Sequence, residues 1–413
     1  MERDRPDIFF WTWTSQRGSS RLSIAGSEGC HFVTNDGQRI FDAISTNFQA
    51  AFGHSCTPIK HSIQRQLDAM PVANPRHAFH LKQQVSEKLL EFVNAGPGRI
   101  FYTLSGAEAV ENALKMARQV TGKNLVAARA KSYHGATMGA MSVTGDWRGQ
   151  GHFGAQESTI RIPEPADDPD LLKTRDVIRA AGARNIAAMC LETISGMNGV
   201  IVPDPAWWRG IESLCRENGI LMIVDEVSCG FGRTGTDLAM HRYGIKPDFV
   251  CMAKAISGGY VPFGALWASE TVASHYDDNV LGAGLTAYAH PLGLAATDAV
   301  LDLMRDTGFR ASKESLTVRF AESAGALKSH PRVKDLRVAG LMAAIDLDPN
   351  TPGPKVTWEA ALGKGIHVAV KSGAMQSNDY GTSIIVAPPF VMTTNECDLM
   401  FNRIAELLDG GNT

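Results

Sequence analysis

Hydrophobic positions along the chain fall into two rhythms that change near residue 60. Before it, short alternating pieces dominate, and "CHFVTNDGQRIFDA" (30–43) predicts two strands joined around Asn35-Asp36-Gly37. After it, 3.6-residue periods alternate with short apolar runs. "HSIQRQLDAM" and "HLKQQVSEKLLEFVNA" predict helices and "RIFYTLS" a strand. Such alternation predicts an α/β fold built on a mostly parallel sheet. From about residue 300, "SLTVRFAESAGALKSH" and "NECDLMFNRIAELLDG" predict helices, with "RVAGLMAAIDL" and "SIIVAPPF" as strands, giving a smaller α+β lobe. The expected organisation is an N-terminal segment (1–55) contributing to the small domain, a large domain (56–300) and a C-terminal small domain (301–413).

Three apolar runs end on ionisable residues: "NIAAMCLE" on Glu192, "GILMIVDEV" on Asp225 and Glu226, and "PDFVCMAK" on Lys254. In open α/β sheets, ligands sit beyond the carboxyl ends of the strands, so these ends are expected to converge on one site. Composition narrows the partners. With 44% hydrophobic and 20% charged residues and a net charge of -3, the chain lacks the basic footprint of a nucleic-acid binder. Small molecules or a second copy of the chain remain. The seven cysteines form no C-x-x-C pair, which suits a reducing cytoplasm. "MERDRPDIFFWTWTSQ" lacks the pattern of a secretory signal, and no run reaches the roughly 18 apolar residues of a membrane span.

Three stretches carry candidate chemistry. In "FYTLSGAEAVENALKMARQVTG", a strand enters a helix through Ser105-Gly106-Ala107, with Ser105 and Glu108 spaced as a capping box. Capping explains Ser105 and Glu108. The small residues Gly106 and Ala107 also let an anion approach the free N–H groups of the first turn. Asp225 ends an Ile-Val run, where a carboxylate needs a cation or donor; Arg233 could be that partner, or a ligand could be. Gly230, Gly232 and Gly235 form a G-x-G-x-x-G match that raises a dinucleotide-binding oxidoreductase. Asp225 and Glu226 would then stand where pyrophosphate belongs, which argues against it. Lys254, 29 residues after Asp225, could snorkel from a strand end or, when desolvated, serve as a free amine toward carbonyls. Together, an anion-binding helix start, a buried carboxylate and a strand-end lysine are the three contacts that pyridoxal 5'-phosphate needs, for its phosphate, pyridinium nitrogen and aldehyde. His54, His77 and His80 do not make a metal set.

With these residues in place the chain resembles the class III pyridoxal-phosphate aminotransferases of fold type I. The resemblance runs from "FDAISTNFQAAFGHSCTP" through "SGAEAVENALKMAR", "YHGATMG", "DEVSCGFGRTG", "PDFVCMAKAISGGYVPFGA" and "TAYAHPLGLAA" to "RVAGLM" and "VAPPF". It implies a large domain with a seven-stranded, mostly parallel sheet, and a homodimer with active sites at its interface. Lys254 is similar to the lysine that takes the cofactor's aldehyde, and Asp225 to the partner of the pyridine nitrogen. Val227 and Tyr133, the latter in Tyr133-His134-Gly135, match the residues on the two ring faces. Ser105, Gly106 and Ala107 match the phosphate turn, and Glu192 the strand-end glutamate near the cofactor. Thr286 matches the threonine that reaches the phosphate from the neighbouring subunit, or it is simply an N-cap. Arg233 is expected to tie down the loop after Asp225.

"ETISGMNGVIVP" and "FFWTWTSQ" look like the branch acting on taurine, β-alanine and similar terminal amines. Trp11 and Trp13 would line the substrate pocket or pack an N-terminal arm on the dimer partner. Two positions depart from the pattern. Ile385 stands where many members carry an arginine for the substrate carboxylate, and Thr193 where proline usually follows the glutamate. The implied activity is ping-pong transfer of an amino group from an amine or amino acid to an oxo acid such as pyruvate or 2-oxoglutarate. Aminomutase, racemase or decarboxylase chemistry on the same scaffold, or a non-catalytic descendant, are the alternatives.

Overall fold

The structure is a computed structural model that describes residues 8–17, 21–150, 157–371 and 382–410. Its centre is a seven-stranded sheet in the order Gly98–Thr103, Gly264–Ser269, Phe249–Met252, Leu221–Asp225, Ile186–Glu192, Leu125–Arg129 and Thr159–Ile162. All pairings are parallel except those of Gly264–Ser269, which runs antiparallel to both neighbours. Both faces are covered. Along Ile186–Glu192, Met189 and Leu191 enter one apolar core while Ala188 and Cys190 enter the other. This is why the run reads as unbroken hydrophobicity in the sequence.

Register brings the ionisable ends together. Glu192 pairs with Asp225, and Asp225 with Cys251, three residues before Lys254. The helix Gly106–Thr121 packs Val110, Ala113, Leu114 and Ala117 into the core and ends on Gly122 at φ 68°.

The chain ends build two four-stranded sheets. The expected hairpin is present as His31–Thr34 and Arg39–Asp42, and Ile366–His367 joins its edge in parallel, so N- and C-terminal segments share one sheet. The other sheet contains Val333–Ala339, Met342–Leu347, Ser383–Val386 and Ala369–Lys371. Here "RVAGLMAAIDL" is two antiparallel strands rather than one, because Gly340 turns the chain at φ 58°. The glycine within the run was the available signal. Helix Thr307–Ala326 also begins eight residues before the expected "SLTVRF", capped by the Asp306 carboxylate. No helix among the described residues is long and apolar enough to cross a membrane.

A Cβ at Gly340 would lie 2.4 Å from the Arg233 carbonyl oxygen and 2.5 Å from the Thr234 carbonyl carbon. Gly340→Ala is therefore expected to destabilise the protein by about 2–3 kcal/mol, measured by urea denaturation. A midpoint equal to that of the parent would contradict the strained-turn assignment.

Candidate active site

A cavity of about 310 Å³ opens at the carboxyl ends of the central strands. Ser105, Gly106 and Ala107 line it from the helix start, Asp225 and Val227 from one strand end, and Lys254 from the next. Tyr133 and His134 also reach it, so eight of the expected site residues share one cavity.

The phosphate-type turn is half a capping box. Ser105 Oγ accepts the Glu108 N–H at 3.2 Å, but the Glu108 carboxylate turns back to Leu104 N–H at 2.7 Å instead of Ser105. The first-turn N–H groups of Gly106 and Ala107 have no partner inside the helix, as at any helix start. Gly106 must stay small: a Cβ there would meet both Val227 methyls at 2.8 Å.

Asp225, 4% exposed, is not paired with Arg233. Its Oδ1 accepts the Val227 N–H at 2.9 Å and its Oδ2 lies 2.8 Å from His134 Nδ1. Burial opposes a charged ring on His134, but the Cys190 sulfur and the adjacent carboxylate together raise its pKa well above the usual value. His134 thus acts on Asp225, and its Nε2 is buried without a hydrogen bond. Glu226 faces away from the cavity. It accepts N–H groups of Ala239 and Met240 at 2.9 and 2.7 Å, and burial raises its pKa. The Thr193 hydroxyl donates to the same carboxylate at 2.8 Å, which gives the departure at 193 a structural function.

Lys254 begins a 3-10 turn with φ 50°, a left-handed backbone that costs a residue with a side chain about 1–2 kcal/mol. Strain of this kind persists where the surroundings fix it, commonly at functional sites. Burial lowers the Lys254 pKa, against the charges of Asp225 and Glu192 that favour the ammonium and with Arg148 opposing it. Nζ donates to Ser228 Oγ at 2.5 Å and stands 5.2 Å from the centre of the Phe48 ring. Phe48 is carried there by four successive left-handed residues, Ser45 to Phe48. Glu192 lies behind this group, taking the Ser195 hydroxyl at 3.0 Å with Arg129 Nη2 at 3.9 Å, and burial raises its pKa.

Trp13 packs edge-on against Tyr133 and Trp147, with ring centres 6.1 and 5.9 Å apart. Trp11 instead contacts Phe9 and Arg21, away from the cavity. Thr286 is exposed and does not line the cavity. Arg233 is buried and donates to the carbonyls of Leu341 and Pro388 at 3.0 and 2.6 Å, tying the loop after Asp225 to the C-terminal sheet as expected. None of Gly230, Gly232 and Gly235 lines the cavity. Ile385 is fully buried in an inner strand between Ala344 and Ala369. Sequence reasoning missed Ser228, although it directly follows Val227. It also missed Arg148, whose guanidinium lies 3.7 Å from the Tyr133 ring centre and is held by Asp146.

The family model for class-III aminotransferases matches residues 14–408. The chain belongs to that family. It is 29% identical to an omega-aminotransferase of Caulobacter vibrioides over 97% of each chain. To the β-alanine–pyruvate aminotransferase of Pseudomonas aeruginosa it is 28% identical, over 94% of this chain and 92% of that protein. Among solved structures, the taurine:2-oxoglutarate aminotransferase of Bifidobacterium kashiwanohense, in complex with pyridoxal phosphate and glutamate, superposes with a TM-score of 0.89 at 28% identity, covering 97% of this chain and 94% of that one. An amine transaminase from an uncultivated Pseudomonas species, also with the cofactor bound, gives 0.89 at 27% identity over 98% and 99%. These likenesses fix the fold as fold type I and the cofactor as pyridoxal 5'-phosphate. The enzyme moves an amino group from an amine or amino-acid donor to an oxo acid. The cavity fits the cofactor, since a helix start, a buried carboxylate and a lysine amine meet there.

Gly106→Ala is expected to weaken pyridoxal-phosphate binding about tenfold or more, because Val227 must give way at the turn. Fluorescence titration of the cofactor-free protein checks this; unchanged affinity would separate the turn from cofactor binding.

Proposed function

We propose that this aminotransferase acts on terminal amines, with Lys254 as the cofactor-bearing base and Asp225 as the partner of the pyridine nitrogen. The observation that carries the assignment is the convergence of the Lys254 amine, the Asp225 carboxylate and the Ser105–Ala107 turn on one cavity. Ser105, Gly106 and Ala107 would cradle the phosphate, Tyr133 and Val227 would flank the ring, and His134 would orient Asp225. Glu192 would complete the strand-end acid group near the cofactor. Thr286, exposed on its loop, would reach the phosphate of the neighbouring subunit in a homodimer, where exposed apolar side chains such as Phe10, Met138 and Val280 would be covered. Six buried cysteines among seven, all free thiols, are compatible with a cytoplasmic protein.

When bound, pyridoxal phosphate supplies an aldehyde for the donor amine and a protonated ring that accepts the electron pair left on the donor carbon. Asp225 would hold the proton at the ring nitrogen of the bound group, and the Lys254 amine, once free, would serve as the base that takes the proton from the donor carbon and holds it for return within the site. The net reaction exchanges the donor's amino group for the oxygen of an oxo acid, so the donor leaves as a carbonyl compound and the oxo acid leaves as an amine.

The substrate class rests on Ile385. A buried isoleucine inside a sheet cannot supply the guanidinium that would clamp an amino-acid carboxylate, and the Arg148 guanidinium that lies over the cavity-lining Tyr133 is already held by Asp146. The relatives named for omega-amines and β-alanine support the same reading. The proposed division into 1–55, 56–300 and 301–413 is supported by the seven central strands, which all fall between residues 98 and 269, while its second boundary falls inside the helix Pro291–Arg305.

A panel of terminal amines and α-amino acids, each with pyruvate or 2-oxoglutarate, should show terminal amines transferred at the higher kcat/KM. Turnover confined to α-amino acids would overturn the substrate class. Asp225→Asn is expected to slow single-turnover transfer about a hundredfold or more, with near-parental rates as the contrary result. Because burial lowers the Lys254 pKa, the free amine is available as a base below the roughly 10.4 of an exposed lysine. The rate of the donor half-reaction should therefore rise with pH and level off below that value; a limb at or above it would contradict the base assignment.

A further inference from the structure

Lys254 has a hydrogen-bond partner that neither the fold nor the three cofactor contacts require. Its Nζ donates to Ser228 Oγ at 2.5 Å, and Ser228 makes no other side-chain hydrogen bond among the described residues. The serine follows Val227 on the turn that leaves the Asp225 strand, and it lines the same cavity. It has little room to move. A Cβ added to Gly196 would sit 3.1 Å from Ser228 Cβ and 3.3 Å from Phe48 Cζ, so Ser228, the Gly196 backbone and Phe48 are close-packed. Phe48 presents its ring to the same Nζ at 5.2 Å.

A neutral primary amine has two N–H groups and one lone pair, and only the lone pair can take a proton from carbon. An acceptor fixed on one N–H limits rotation about the last side-chain bond and so aims the lone pair. A donor in that place would occupy the lone pair instead. A serine hydroxyl fixed at 2.5 Å can accept from the amine and from the ammonium alike, so it serves the lysine before and after it carries the proton. Phe48 adds an electron-rich face that favours the charged form.

We propose that Ser228 is a positioning residue for the freed Lys254 amine, holding one N–H so that the lone pair meets the donor carbon. The proposal rests on Lys254 as the base, and its consequence is kinetic. Without the hydroxyl, the amine rotates among orientations and proton transfer slows, while cofactor and donor binding persist. The charged groups acting on Lys254 are Asp225 and Glu192, which favour its protonation, and Arg148, which opposes it; the neutral thiol of Cys229 is also near. A substitution at Ser228 leaves all of them in place.

The test compares Ser228→Ala with Ser228→Thr, which keeps a hydroxyl. In cofactor-free protein, the pH dependence of Lys254 carbamylation by cyanate, followed by mass spectrometry, reads the amine directly. Ser228→Ala should lower the Lys254 pKa by about one unit, because a hydrogen bond to the ammonium is lost, and Ser228→Thr should return it toward the parent. In cofactor-loaded enzyme, Ser228→Ala should slow the donor half-reaction about tenfold or more. The isotope effect from a deuterated donor carbon should rise, and the donor dissociation constant should hold, with Ser228→Thr recovering most of the rate. The proposal is overturned if Ser228→Ala matches the parent in Lys254 pKa and isotope effect, or if both variants fall equally, which would mark Ser228 as packing alone. The carbamylation measurement does not depend on transfer activity, so failure of the proposal is distinguishable from failure of the wider assignment.

Discussion

A carboxylate at the end of a buried Ile-Val strand has to be met by donors, and the way Asp225 is met organises the site. Val227 N–H donates to one oxygen and His134 meets the other, which fixes the carboxylate plane. The same donors place their neighbours. Val227 is turned against Gly106, so the helix start and the strand end share one wall. His134 lies in the segment that also carries Tyr133, and that ring is backed by Arg148. Removing the charge at Asp225 would therefore loosen three walls of the cavity at once.

The lysine side of the site depends on strain held by the surrounding lobes. Lys254 and the residues Ser45 to Phe48 all take left-handed backbone conformations, and none is glycine. Their positions are enforced from the chain ends. Ser45 Oγ donates to the Ala387 carbonyl at 2.6 Å, and Arg233 reaches the carbonyls of Leu341 and Pro388. The terminal segments thus do more than flank the central sheet. They hold the Ser45 end of the segment that carries Phe48 and bind the loop that follows Asp225, so the cavity walls and the terminal sheets are joined.

Much of this was legible because burial leaves a simple mark. The runs ending at Glu192, Asp225 and Lys254 read as strands buried on both faces, and strand register then forces their ends together. The 105–107 turn was readable because glycine and alanine at a helix start leave its free N–H groups open to an anion, where larger side chains would screen them. Three features were less legible for physical reasons. The pairing of Asp225 with His134 joins residues 91 apart, and no local period encodes such a contact. Glu226 and Asp225 are adjacent in sequence, yet successive residues leaving a strand point to opposite sides, so one faces the cavity and the other caps a helix. The Gly340 turn was hidden by the apolar residues on both sides, which made two strands look like one. Ser228 was overlooked beside a stronger motif, although its polarity in an apolar stretch was visible.

The proposed mechanism requires that Lys254, and no other lysine, carries the cofactor. Borohydride reduction of the pyridoxal-phosphate-loaded enzyme, followed by proteolysis and mass spectrometry, tests this most directly. A phosphopyridoxyl mass is predicted on the peptide containing Lys254 and on no other. The same label on a different lysine, for example the buried Lys313 or Lys371, with Lys254 unmodified, would contradict it.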